Sequence, residues 1–151
     1  MLGRILRRII VIIYQVFNPG FRKAVMYDIP RVYFKNRLEL GNKVHFNDGV
    51  FINAVGGIKI GDYSVLSHGV SIISTKNDVT KWVLRKEDED IHINEPIEIC
   101  RNVWLCANVT VCSGVTIPEN CIVAAGSVIT KSLEEPGCLY GGIPAKKIRG
   151  L

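Results

Sequence analysis

The chain is poor in the features that mark several large classes of protein. It has no long apolar run: the longest, Ile9 to Tyr14, is far below the ~20 residues needed to span a bilayer. No small-residue cleavage site follows it, so a secretory signal is not expected. Cysteine is odd in number, five, which argues against the paired framework of a secreted disulfide scaffold. Histidine is scarce, with three residues separated by 23 and 24 positions. Acidic residues number 14 against 19 basic ones, leaving a net charge of +5 and a pI near 9.0. That balance suits an anionic ligand, an acidic membrane surface or nucleic acid. Nucleic acid is the weakest of the three, because the chain shows neither a basic stripe interleaved with aromatics nor a recognition helix.

What is present is a period. Ile99, Leu105, Val111, Ile117, Val123 and Ile129 recur every six residues, and Val103, Val109, Val115, Cys121, Ser127 and Leu133 keep the same beat. A 3.6-residue helix drifts out of register with such a repeat, whereas short strands joined by corners suit it. The beat also runs through Leu40, Phe46 and Ile52. After a two-residue insertion at Val55-Gly56-Gly57 it returns at Ile60, Leu66 and Ile72. The expected fold is therefore all-β, with short strands stacked coil on coil. Cys100, Cys106 and Cys112 share the period, but six residues are one strand and one corner, so their thiols leave different faces and do not converge on a metal. They read as small space-filling thiols of a reduced, cytosolic protein, and no metal site is expected.

Two stretches stand outside the repeat. Leu2, Ile5, Leu6, Ile9, Ile10, Ile13, Val16 and Phe17 form an amphipathic helical stripe with Arg4, Arg7 and Arg8 beside it, ended by Asn18-Pro19-Gly20. This helix either caps the open end of the stack or lies on an anionic membrane. Residues 1–37 thus read as a helix and lead-in, and residues 38–151 as the repeat domain. Between Ile72 and Ile99 the beat is lost. Residues 74–95 include the charged run Arg85-Lys86-Glu87-Asp88-Glu89-Asp90, which cannot be buried unpaired and must protrude as a loop.

The stretch PIEICRNVWLCANVTVCSGVTIPENCIVAAGSVITKSL, followed by GGIPAKKIRG, resembles the hexapeptide-repeat acyltransferases, in particular the maltose and galactoside group and the colanic acid and capsule O-acetyltransferases. The resemblance covers about residues 38–149. It implies a left-handed β-helix of triangular section, assembled as a homotrimer with acetyl-CoA in grooves between neighbouring prisms. It also implies direct transfer of acetyl to a hydroxyl. A histidine takes the hydroxyl proton, a hydrogen-bond donor stabilises the oxyanion, and no covalent enzyme intermediate forms. A zinc-dependent carbonic anhydrase on the same kind of helix is the rival use of histidine, and the wide spacing of His45, His68 and His92 speaks against it.

The position of that histidine is held here by Asn77, with the acidic residue that follows retained as Asp78. An amide can orient a hydroxyl but cannot take its proton. Three explanations are open: a form disabled to capture a complex, a natural loss of the base, or replacement by another group such as Asp78 or His92. The resemblance assigns the thioester end of the cofactor to Ala107 with Trp104 packed beside it, the pantetheine arm to Ala125, an outer contact to Thr130 and Lys131, and the phosphates to Lys146 and Arg149. Lysine at 146, where relatives often carry arginine, grips less directionally. Asn47, Asp48 and Asn53 are candidates for binding a saccharide acceptor, although polar corner residues also serve turns. The expected activity is O-acetylation of a saccharide in surface-polysaccharide assembly, in the cytoplasm and at the inner membrane face. The alternatives are N-acetylation of an amino sugar and a non-catalytic acyl-CoA or glycan scaffold.

Overall fold

The computed structural model describes residues 2–84 and 90–151, the side chains of Leu2 and Arg4 excepted. Both hexapeptide series point inward. Ile99, Leu105, Val111, Ile117, Val123 and Ile129 are fully buried, and of the second series only Leu133 exceeds 1% exposure. Among the described residues the strands stack into three sheets of seven, five and four strands. These are the faces of a triangular, left-handed prism. The first face includes His45–Phe46, Val65–Leu66, Trp104–Leu105 and Ile122–Val123. The second includes Phe51–Asn53, Ser71–Ile73, Thr110–Val111 and Val128–Ile129. The third includes Ile58–Ile60, Ile97–Ile99 and Thr116–Ile117. Pairing within each face is parallel and in register, as in Val65 with Trp104 and Trp104 with Ile122.

The corners explain the polar letters of the repeat. Where the first face turns into the second, Gly49, Gly69, Asn108 and Gly126 all take positive φ, between 57° and 70°. Glycine and asparagine tolerate this left-handed region, which most side chains avoid. The buried Ser64 hydroxyl is satisfied, donating to the Cys100 carbonyl at 3.0 Å and accepting from the Val103 N–H at 3.2 Å. Cys100, Cys106 and Cys112 follow strands of the third, first and second faces, and so lie at three different corners.

The stack begins before the hexapeptide beat does. Val25–Met26 pairs with His45–Phe46, and Arg31–Tyr33 with Phe51–Asn53. The boundary at residue 38 therefore falls inside the first coil, whose early strands set Met26 and Val32 in register with Phe46 and Ile52 and partly bury them against the core. Helix α1 (Leu2–Phe17) precedes this coil. It packs through Val11 and Tyr14, with the Tyr14 ring meeting Phe21 edge to face and Phe21 tilted against the core residue Phe46. The Gln15 amide donates to the carbonyls of Phe21 and Ala24, each at 2.9 Å. The apolar stripe expected to cap the stack faces away instead. Ile5, Leu6, Ile9, Ile13, Val16 and Phe17 are 48–80% exposed, because the narrow Val11–Gln15 side makes the contact.

The excursion at residues 74–95 is more ordered than a plain loop. Thr75–Asn77 and His92–Asn94 form an antiparallel hairpin, and α2 (Val79–Leu84) follows the first strand. Of the charged run, Arg85 to Glu89 lie outside the described residues. The hairpin base is tied down by Glu95, which accepts from Lys76 Nζ at 2.6 Å and from the Ser113 hydroxyl at 3.4 Å.

Candidate active site

Backbone bonds align four corner residues on the edge between the first and second faces. Gly69 N–H donates to the Asp48 carbonyl, Asn108 N–H to that of His68, and Gly126 N–H to that of Ala107, at 2.8–3.1 Å. Asp48, His68, Ala107 and Ala125 thus lie on successive coils of a single edge. Trp104 leads into it, half exposed, with its indole N–H donating to the Ser67 hydroxyl at 3.0 Å. Asp48 and His68 are linked side chain to side chain, Oδ2 to Nδ1, at 2.9 Å. That bond holds the Asp48 carboxyl below the usual carboxylate range.

The remaining candidates occupy other places. Thr130 and Lys131 follow the strand Val128–Ile129 of the second face and share a cleft of about 370 Å³ with Lys146. Arg149 lies on Lys146–Gly150, the exposed antiparallel strand that closes the first face, and its guanidinium donates to the Gly150 carbonyl at 2.9 Å. Asn47 precedes Asp48 on the first edge. Asn53 lies at the end of its strand, where its side-chain oxygen accepts the Val55 N–H at 3.4 Å. The hairpin leaves from the edge between the second and third faces, and Asn77 is exposed near its base. In a single chain the seven cofactor candidates therefore fall on one edge, one cleft and one terminal strand, and Asn77 stands on a different edge from Ala107.

Asp78 has a structural task. Its Oδ1 accepts the N–H groups of Thr80 at 2.9 Å and Lys81 at 3.2 Å, which is the side-chain cap of α2. His92 lies in register opposite Asn77, and its ring Nδ1 is 3.0 Å from Asp90 Oδ1. Composition and period carry no sign of this Asp90–His92 pair; its only trace in the sequence is an Asp two residues before a His at the start of a strand. The described residues contain no group of three or more His, Cys, Asp or Glu able to hold a metal.

Comparison with known proteins agrees with this architecture. The family model described as bacterial transferase hexapeptide (six repeats) matches residues 96–131. No curated protein sequence matches the chain. Among solved structures, a hexapeptide-repeat acetyltransferase of Vibrio cholerae O1 biovar eltor complexed with acetyl coenzyme A superposes with a TM-score of 0.76. It is 28% identical, over 85% of this chain and 68% of the other. A galactoside acetyltransferase in complex with coenzyme A gives 0.71 at 27% identity, over 84% of this chain and 64% of the other. A polysialic acid O-acetyltransferase gives 0.63 at 29% identity, over 84% and 59%. Residues 96–131 carry the bacterial transferase hexapeptide repeat, and the solved structures this chain is similar to are hexapeptide-repeat acetyltransferases.

Proposed function

We propose that the chain transfers acetyl from acetyl-CoA to a hydroxyl of a saccharide, in the assembly of a surface polysaccharide. The observation that carries this reading is the match in fold and sequence to a 28% identical acetyltransferase holding acetyl-CoA, with Ala107 and Ala125 on one continuous edge beside an exposed tryptophan. Small side chains there let an extended thioester arm lie against the backbone, and Thr130, Lys131, Lys146 and Arg149 supply donors for its polar and phosphate end. Two prisms side by side in a homotrimer would bring the hairpin of one copy toward the small-residue edge of another, with Asn47, Asp48 and Asn53 on the acceptor side. Holding both substrates in one groove supplies much of the rate advantage. Judged at Asn77 alone, the enzyme is impaired, because that position offers no base.

Thiol release from acetyl-CoA on a panel of neutral and amino saccharides tests the reading. Release on hydroxyl acceptors is expected. Release confined to amines would move the activity to N-acetylation, and cofactor binding without release would leave a scaffold.

The place of work is the cytoplasm, against the inner face of an anionic membrane. No described helix is long and apolar enough to cross a bilayer. On α1, at about 100° per residue, the exposed apolar side chains form one outward arc, with Arg8 just beyond Ile12 at one border, while Arg7 lies toward the contact side, 3.9 Å from Asp28. This is the layout of a helix lying in the headgroup plane. Flotation on phosphatidylserine vesicles should be lost when Ile9→Asp and Ile13→Asp are combined. Vesicle-independent association of copies through α1 would refute the lipid assignment.

A further inference from the structure

The amide at Asn77 is met across the hairpin by His92, and the hydrogen-bond ladder defines the kind of pair they make. Asp78 N–H donates to the Ile91 carbonyl at 2.8 Å, and Glu95 N–H to the Ser74 carbonyl at 3.1 Å. Antiparallel pairs alternate between hydrogen-bonded and non-hydrogen-bonded, so Asn77–His92, one step from Asp78–Ile91 and three from Ser74–Glu95, is of the second kind. Side chains directly opposite one another leave the same side of the ribbon, with Cβ atoms about 4.5–5.5 Å apart. The imidazole therefore stands beside the amide, and both are exposed.

The proton on that imidazole is also placed. Asp90 Oδ1 lies 3.0 Å from Nδ1 and accepts the His92 backbone N–H at 2.9 Å. An ionised carboxylate can only accept, so Nδ1 carries the hydrogen and Nε2 presents its lone pair. The backbone bond closes a local turn that holds the carboxylate against the ring.

Resting on the acetyl-transfer reading above, we infer that His92 is the general base of this enzyme and that Asp90 is its positioning residue. Nε2 takes the proton of the acceptor hydroxyl as that oxygen bonds to the thioester carbonyl carbon. The tetrahedral adduct collapses with cleavage of the carbon–sulfur bond, and the imidazolium returns the proton to the leaving thiolate, giving the acetyl ester and free coenzyme A. The Asn77 amide, beside the ring, orients the acceptor oxygen by hydrogen bonding. Proton removal has moved across the hairpin from one strand to the other.

The test compares the full chain with His92→Gln, Asp90→Asn, His68→Gln, Asn77→His and the double variant Asn77→His/His92→Gln. It reads thiol release on the saccharide panel together with coenzyme A binding by calorimetry. The expected result is a loss of about 10²–10⁴-fold in kcat for His92→Gln, with cofactor affinity within about twofold. The acid limb of the kcat–pH profile should disappear with it. Asp90→Asn should lose less and displace that limb, and the double variant should regain part of the activity. Turnover retained in His92→Gln, loss confined to His68→Gln, or activity appearing only with Asn77→His would each overturn the role of His92 and leave acetyl transfer standing. Cofactor bound without thiol release in every chain would overturn the acetyl-transfer reading, and this inference with it.

Discussion

The coil stack and the hairpin that leaves it are built by different rules. In the stack, each inward residue meets the same kind of residue one coil above and below, and burial alone selects its type; Ile52, Leu66, Leu105 and Val123 are all fully buried. In the hairpin, two three-residue strands and one short helix hold together through Asp78, Lys76, Glu95 and Ile91, the one buried apolar side chain among its described residues. The rigid element carries the candidate cofactor contacts, and the sparsely anchored one carries the candidate acid–base chemistry. A solenoid of this kind can keep its cofactor edge unchanged while the excursion varies, because neither depends on the other for its core.

The sharpest way to break this contrast is a cavity in the stack. Leu105→Ala should cost about 2–5 kcal/mol, lowering the thermal midpoint by roughly 2–4 °C per kcal/mol. A loss of under 1 kcal/mol in a denaturant melt would mean the coils do not share one cooperative core. A cut in the hairpin should stay local. Asp78→Ala removes the cap of α2 and should cost about 0.5–2 kcal/mol, read as faster amide exchange at Thr80 and Lys81 with the exchange of Val111 and Ile117 unchanged. Protection lost equally in both regions would erase the distinction.

The smallest effect concerns the exposed pair on the candidate cofactor edge. His68 depresses the native pKa of Asp48, so the bond stabilises the fold above the ordinary aspartate value, about 3.9. That contribution is lost as pH falls through the lower native value. Asp48→Asn should therefore lower the thermal midpoint slightly near pH 7 and flatten its fall on the acid side, within the small range that exposed pairs span. An equal slope in both proteins would show that the pair is unlinked to folding.

Much of the stack is legible in the sequence because its period reports a constraint repeated on every coil. At the positions of Val103, Val109 and Val115 only a small apolar side chain or a serine that finds backbone partners, as Ser64 and Ser127 do, can be buried, so the pattern survives inspection without coordinates. The two-residue insertion at Val55-Gly56-Gly57 is legible for the same reason, as a shift of the beat that returns at Ile60. The first coil is less so, since its inward residues Met26 and Val32 are few and only partly covered. The direction of α1 is not legible either. Its stripe shows that one side is apolar, and the choice of the Val11–Gln15 side for contact follows from Tyr14 meeting Phe21 and from Gln15 reaching two backbone carbonyls.

The candidate site divides in the same manner. Ala107, Ala125, Thr130 and Lys131 occupy repeat positions, so their places follow once the period is known. Asn77 is singled out only by the resemblance and is a candidate position, while His92 lies 15 residues further along and outside the beat. By itself the sequence determined a parallel β-helix with its inward residues, its corners and its interruption, because burial imposes a periodic demand that the letters must meet. Only the tertiary structure decided that Asp48 meets His68, that α1 turns its apolar arc outward, and that His92 stands opposite Asn77. Those pairings depend on strand register and on which turn closes a loop, and neither leaves a periodic mark on the chain.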